Sequence, residues 1–273
     1  MSTFNTLKAH GVERFAGKIS QSDAIWVFHH IPKTAGSSLT HELRQVLPPY
    51  RNIFADHRPG VASRADSLMD AVDAFLTDYP TYKYRSASGH LRRPHLNRIL
   101  ETLPEARLIT FLRNPAERLI SDYRYAKTPK HPTHVEFSEK FPTLDDYIDH
   151  PQSQNKMWAF VSSQNADADE KMMRSVFNRY AFIGTLETLA DDFSFFTSLF
   201  GCPKAMQAKV NITANQKDNK VEIDATTLQK IQSLNMKDFA LYDLVTETLA
   251  ERRSEMNDFI RSKRELWLGI AAE

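Results

Sequence analysis

The sequence predicts an α/β fold in which helices flank both faces of a parallel sheet. Strand-like apolar segments alternate along the chain with segments of helical periodicity, a pattern typical of parallel sheets. Two of the strand-like segments run directly into a short turn and then a helix. A chain of 273 residues can bury about three quarters of its unfolded surface, which favours one large domain. We therefore expect a single domain over 1–273, with 1–23 as a peripheral N-terminal segment.

The individual elements follow from composition and periodicity. Strands are predicted at 25–31, 82–86, 108–112 and 181–184. Helices are predicted at 65–79, 93–103, 186–200 and 225–263, where apolar residues recur every three or four positions. Residues 127–143 contain three prolines and little periodicity, so they predict a surface loop. Parallel strands bind ligands beyond their carboxyl ends, so a site is expected at that edge of the sheet.

The first strand-turn-helix unit is IWVFHHIPKTAGSSL, residues 25–39. Pro32 ends the strand, and Lys33 supplies a positive charge at the turn. The small residues that follow leave the backbone N–H groups of a helix N-terminus open to an anion: Thr34, Ala35, Gly36, Ser37 and Ser38. Lys33 precedes the glycine, and no GxxxxGK[ST] is present, so this is not the usual ATPase loop.

The second unit is RLITFLRNPAERLISDYRY, residues 107–125. Pro115 falls in the first turn of its helix, where a missing N–H costs little. Arg113 ends the strand and Ser121 follows two helical turns later, so the pair can meet a second phosphate. The alternative is that Arg113 forms an ion pair at the strand end and Ser121 is a helix-surface hydroxyl.

Together the two units resemble the cofactor motifs of sulfotransferases that use 3′-phosphoadenosine 5′-phosphosulfate (PAPS). The segments IPKTAGSSL and RNPAERLISDY are most similar to the carbohydrate branch, which includes the heparan sulfate 2-O- and 6-O-sulfotransferases. Shorter matches are SGHL at 88–91, YAFIGTLETL at 180–189, VNITANQK at 210–217 and DFALYDLV at 238–245. The resemblance implies a P-loop-like, sulfotransferase-type sheet. It also implies that Lys33 and the turn 34–38 hold the 5′-phosphosulfate, while Arg113 and Ser121 hold the 3′-phosphate.

The implied reaction moves a sulfuryl group from PAPS to a hydroxyl of a carbohydrate or glycoconjugate. Lys33 would neutralise charge on the departing oxygen, as electrostatic catalysis requires. His90, in SGHL, is the candidate general base because a histidine titrates near neutral pH. Cationic side chains take up the leaving charge, so no metal is expected. The alternative for His90 is a packing role. Thr213 and Lys217 are candidates to cover the nucleotide, with a plain surface loop as the alternative.

Composition limits the partners. With 35 basic and 34 acidic residues the net charge is +1, which gives no long-range attraction to nucleic acid. Lys83, Arg85, Arg92 and Arg93 flank His90 in sequence, and they predict an acceptor that carries carboxylates or sulfates, unless they are ordinary solvated charges. The first 24 residues lack a signal pattern and no apolar run reaches 18 residues, so a cytoplasmic protein is expected.

Two other functions remain open on sequence alone. One is a P-loop nucleotide kinase or phosphotransferase, which the missing GxxxxGK[ST] argues against. The other is a non-catalytic nucleotide-binding scaffold, which the presence of Lys33, Ser37, Arg113 and Ser121 argues against.

Overall fold

A five-stranded parallel sheet forms the centre of the protein. The computed structural model describes residues 3–19, 24–55, 64–162, 166–201, 203–204, 206, 221 and 223–269. The strands are β1 Trp26–His29, β2 Tyr50–Asn52, β3 Ser86–Gly89, β4 Arg107–Leu112 and β5 Tyr180–Thr185. Their order is β2-β3-β1-β4-β5, and every pairing is parallel. The predicted parallel α/β fold is therefore confirmed.

Twelve α-helices surround the sheet within the described residues. They are α1 Phe4–Ile19, α2 Gly36–Val46, α3 Arg64–Tyr82, α4 Arg93–Thr102, α5 Pro115–Ala126, α6 His134–Lys140, α7 Leu144–Asp149, α8 Lys156–Val161, α9 Glu170–Arg179, α10 Leu189–Ser198, α11 Ala225–Leu234 and α12 Met236–Trp267. No helix in this part of the chain is long and apolar enough to cross a membrane.

One predicted strand is misplaced, and one strand of the sheet has no predicted counterpart. Helix α3 continues to Tyr82, and the strand predicted at 82–86 lies instead at Ser86–Gly89. Its sequence is SASG, which lacks the β-branched and aromatic residues that mark strands. Small residues are required here, since a Cβ on Gly89 would lie 2.4 Å from the carbonyl oxygen of Ile53. Strand β2, with only three residues, was not predicted.

Three helical regions also differ from expectation. The predicted loop 127–143 contains helix α6, and the predicted helix 225–263 is two helices that meet at Asn235. The N-terminal segment is not peripheral, because α1 buries Phe4, Leu7 and Phe15 completely. The ring of Phe4 lies edge-on to Phe177 of α9, with 4.9 Å between ring centroids. This helix is therefore part of the core.

The strand register brings the four predicted site segments to one edge of the sheet. His29 of β1 pairs with Gly89 of β3, and Leu112 of β4 pairs with Thr185 of β5. The chain therefore leaves these four strands at neighbouring points along the carboxyl edge. Lys33, His90, Arg113 and the turn after β5 all follow these strand ends, as predicted.

Candidate functional site

The loop between β1 and α2 has an unusual backbone. Lys33 and Ala35 both have positive φ angles, 73° and 63°, although neither is glycine. Left-handed conformations of this kind are costly for ordinary residues and cluster at functional sites. The Thr34 hydroxyl donates to the carbonyl oxygen of Ile31 at 2.9 Å and so holds the turn. Ala35 is the N-cap of α2.

Gly36 is the one position in this loop where only glycine fits. A Cβ on Gly36 would lie 1.6 Å from Nε2 of His30. The His30 ring is itself stacked on Phe28, with 5.5 Å between ring centroids. His30 therefore packs against the turn that begins α2 and supports it.

The Lys33 side chain crosses to helix α5. Its Nζ atom lies 4.0 Å from the centroid of the Tyr125 ring, a close cation–π contact. Burial lowers the pKa of the Lys33 ammonium, the Asp122 carboxylate raises it, and the Arg113 guanidinium lowers it. The ring holds the ammonium in place without neutralising its charge. Lys33 is thus oriented and remains able to donate hydrogen bonds to an anion.

Arg113 lies beside the same loop. Its Nη1 atom is 3.5 Å from the carbonyl oxygen of Lys33, and its Nη2 atom is 3.0 Å from Oε2 of Glu117. The Asn114 side chain caps α5 by accepting from the amides of Ala116 and Glu117. Arg113 and Lys33 are therefore brought together as predicted. Ser121 is half-buried on α5, one turn before Tyr125.

A largely buried charge network centres on Asp122, the residue that follows Ser121 on α5. Oδ2 of Asp122 accepts from Lys156 Nζ at 2.7 Å, from Tyr147 OH at 2.8 Å and from Arg118 Nη1 at 3.2 Å. Burial alone would raise the pKa of Asp122, but Arg118, Lys156 and these hydrogen bonds hold it well below its usual range. Asp122 is therefore ionised at neutral pH and neutralises part of the positive charge at the site.

His90 stands on the other side of Lys33, at the end of β3. Its Nδ1–H donates to the carbonyl oxygen of His30 at 2.9 Å, and the two imidazole centroids are 3.9 Å apart. A carbonyl can only accept, so the proton of the neutral ring sits on Nδ1 and Nε2 is the basic nitrogen. The ring is exposed to solvent. This geometry suits a general base.

His29 has a structural role. It is fully buried, its Nε2–H donates to the carbonyl oxygen of Leu91 at 3.0 Å, and its Nδ1 accepts from Tyr180 OH at 2.6 Å. Burial is the main cause that lowers the pKa of His29 to about 3. The ring therefore stays neutral and ties β1 to β5.

The cations expected around His90 separate into two groups. Lys83 and Arg85 precede the amino end of β3 whereas His90 follows its carboxyl end, so these two cations flank His90 in sequence but do not lie beside it in the fold. Arg92 follows His90, and its guanidinium carbon lies 3.8 Å from the centroid of the Phe160 ring. Thr213 and Lys217 lie outside the described residues.

Several residues that contact the candidate site were not predicted from the sequence. Tyr125 is four residues after Ser121 on α5, a spacing that puts both side chains on one helix face and that could have indicated it. Lys156 and Tyr147 reach Asp122 from α8 and α7, and no local pattern marks them. Among the described residues, no three His, Cys, Asp or Glu side chains stand together in a way that could hold a metal ion.

Comparison with known proteins gives a family. The sequence profile of the Sulfotransferase family matches residues 19–244, a span that includes both strand-turn-helix units. No curated protein matches the chain. The chain is similar to the crystal structure of a sulfotransferase from Alicyclobacillus acidocaldarius, with 16% identity and a TM-score of 0.46 over 81% of this chain and 95% of that chain. Because the family profile covers most of its length, this chain belongs to the sulfotransferase family.

Proposed function

We propose that this sulfotransferase transfers a sulfuryl group from PAPS to a hydroxyl of a carbohydrate or glycoconjugate. One observation carries the proposal: the N-terminus of α2, the Lys33 ammonium and the Arg113 guanidinium meet at one edge of the sheet. His90 stands next to them along the same edge. The resemblance of both motifs to the carbohydrate branch supports the class of acceptor.

The residues at this edge fit the two phosphate-bearing ends of PAPS. The amide N–H groups of Gly36 and Ser37 lie in the first turn of α2, where a helix supplies no hydrogen-bond acceptor of its own. Ala35, the N-cap, has no polar side chain that could accept from them. Such a terminus attracts anions. These amides and Lys33 would hold the 5′-phosphosulfate. Arg113 and Ser121 would hold the 3′-phosphate.

Sulfuryl transfer also requires stabilisation of the leaving oxygen and removal of the acceptor proton, and two residues of this chain are suited to these tasks. PAPS supplies a sulfuryl group joined to its phosphate through an oxygen. Lys33 would stabilise the charge that develops on that oxygen as its bond to sulfur breaks. The acceptor oxygen forms the new bond to sulfur, and its proton passes to Nε2 of His90. The contacts from His30 and Tyr125 hold both groups in place before the reaction.

The cofactor assignment is tested by calorimetry with adenosine 3′,5′-bisphosphate. The bisphosphate is expected to bind without metal and more tightly than ATP with magnesium. Arg113→Ala should weaken the bisphosphate by about 1.5–3 kcal/mol, the value of a charge-assisted hydrogen bond, and should weaken a 5′-phosphate analogue much less. An equal loss for both ligands would remove Arg113 from the 3′-phosphate site.

The catalytic roles are tested by turnover with labelled PAPS and a panel of acceptors. Lys33→Ala should slow transfer by at least about a hundredfold. His90→Ala should do the same while leaving bisphosphate affinity nearly unchanged. The matched control is Lys171→Ala, which removes an exposed lysine from α9 and should leave the rate unchanged. Near-normal turnover in His90→Ala would place the base elsewhere.

A further inference from the structure

A cavity of about 430 Å³ opens beside His90, between α2 and the edge of the sheet at β2 and β3. We refer to it as the α2 pocket. Its lining includes Thr40, Arg44, Asn52, Phe54, Ser88 and His90. This volume is within the range of small-molecule binding sites. A larger cavity, about 850 Å³, is lined by residues of α1, α12 and the end of α10, and His90 is not among its lining residues.

One polar face of α2 lines this pocket. Its apolar residues Leu39 and Leu43 are buried in the core. The pocket instead receives Ser37, Thr40, His41 and Arg44, whose spacing of three and four residues places them on a single face. The face begins at the N-terminus of α2, next to the proposed phosphosulfate site, and continues away from it.

The strand order gives the pocket its place in the reaction. Along the carboxyl edge, the order β4-β1-β3-β2 presents Arg113, then Lys33, then His90, then the α2 pocket. In an in-line transfer the acceptor must approach from the side opposite the leaving group. The proposed nucleotide site, with Arg113 at the 3′-phosphate, lies on the β4 side of Lys33. The acceptor must therefore lie on the β3 and β2 side, where this pocket opens.

The chemistry of the lining indicates a polyhydroxylated ligand. Ser88 joins a chain of hydroxyls, with its Oγ 2.6 Å from Tyr50 OH and 3.2 Å from Thr40 Oγ1. Asn52 adds an amide to this wall. Phe54 is 64% exposed and offers an apolar face, which a sugar ring can cover. Hydroxyl and amide groups beside an open aromatic ring are suited to a carbohydrate.

Arg44 adds a charge to this wall. Its guanidinium carbon lies 4.7 Å from the centroid of the Tyr50 ring, and the side chain is exposed. Stacking on an aromatic ring orients a guanidinium and leaves the N–H groups at its edge available for bidentate pairing. No carboxylate of the described residues forms an ion pair with Arg44, whereas the neighbouring Arg51 pairs with Asp78 at 3.6 Å.

We propose that the acceptor sugar binds in the α2 pocket and that Arg44 selects acceptors carrying a carboxylate or sulfate. The inference rests on the proposed function and adds the location of the acceptor and a specificity-determining residue. The reacting hydroxyl points to His90, and the anionic group lies about two turns of α2 away, at Arg44.

The test uses uronic-acid oligosaccharides from hyaluronan, heparosan and alginate, each compared with its carboxyl-reduced form, at saturating PAPS. The wild-type enzyme should sulfate at least one acidic form with a KM about tenfold or more below that of its reduced form. Arg44→Ala should remove this difference by raising KM for the acidic form alone, with kcat and bisphosphate affinity unchanged. Arg51→Ala is the matched control and should retain the difference.

A second variant tests the pocket itself. Thr40→Trp places a large ring inside it on a partly exposed helix face, and should raise KM for the acceptor while calorimetry shows normal bisphosphate binding. Transfer that proceeds with the same acid preference in Arg44→Ala, or with unchanged KM in Thr40→Trp, overturns this inference and leaves the proposed function intact. Equal KM values of the wild-type enzyme for the acidic and reduced forms, or a preference for the reduced forms, also overturn it. If no acceptor is sulfated in the presence of PAPS, both this inference and the proposed function are overturned.

Discussion

Replacement of Asp122 by asparagine should destabilise the protein far more than loss of an exposed ion pair. The substitution keeps the shape of the side chain and removes its charge. Oδ2 of Asp122 is the common acceptor for Arg118, Lys156 and Tyr147. An asparagine can still accept a hydrogen bond, but it leaves the two cations without a counter-charge.

The size of the expected loss of stability follows from the burial of the two cations that contact Asp122. The Arg118 side chain is 1% exposed and Lys156 is 31% exposed, so water can solvate only one of the two cations. Breaking a buried ion pair in this way costs about 3–5 kcal/mol, and the partial exposure of Lys156 favours the lower end. A loss of about 3 kcal/mol is a large part of the 5–15 kcal/mol that stabilises a typical domain.

Urea denaturation of Asp122→Asn and Asp149→Asn provides the comparison. Lys230 Nζ lies 2.9 Å from Asp149 Oδ1, a distance close to that of the Lys156–Asp122 pair, but the Asp149 side chain is 61% exposed. That exposed pair should contribute only about 0–1 kcal/mol. A loss below about 1 kcal/mol in Asp122→Asn, or equal losses in both variants, would refute the reasoning.

The pH dependence gives an independent check. The pKa of Asp122 is lower in the folded protein than its unfolded value of about 3.9. Its contribution to stability is therefore fully present above that value and is lost as the pH falls through the folded pKa. The difference in the free energy of unfolding between wild type and Asp122→Asn should be constant from about pH 6 to pH 8 and should shrink below about pH 4.

Substitutions at three further positions test the site and the residues that support it. Gly36→Ala should abolish bisphosphate binding in calorimetry, because its Cβ would overlap the His30 ring, and retained affinity would contradict that packing. Tyr125→Leu should slow transfer and move the alkaline limit of the pH–rate profile lower, since the ring stabilises the charged Lys33, while Tyr125→Phe should behave like wild type. Tyr180→Phe should lower the free energy of unfolding by about 1–3 kcal/mol because a buried imidazole loses its donor, and an unchanged urea midpoint would exclude that role.

The sequence was sufficient for the parts of the site that depend on local structure. The sequence predicts Lys33 and Arg113 at strand ends because each follows a strongly apolar strand and precedes a helix, a pattern confined to about 15 neighbouring residues. The parallel sheet then required the two to meet at one edge. His90 is a candidate because of its short motif, although its strand lies four residues later than the sequence predicts. The small residues of that strand carry little intrinsic preference and form it because their neighbours leave no space for larger ones.

Only the tertiary structure decided which side chains surround these residues. Three contacts depend on how distant segments pack: the Lys33 ammonium against the Tyr125 ring, the hydrogen bond from Lys156 to Asp122, and Arg44 in the lining of the α2 pocket. The short strand β2 completes that pocket only because it pairs with β3, and a three-residue edge strand leaves no recognisable pattern. Backbone preferences act over a few residues and are visible in sequence. Which side chains come into contact depends on burial and charge across the whole fold, so these contacts cannot be recognised in a local stretch of sequence.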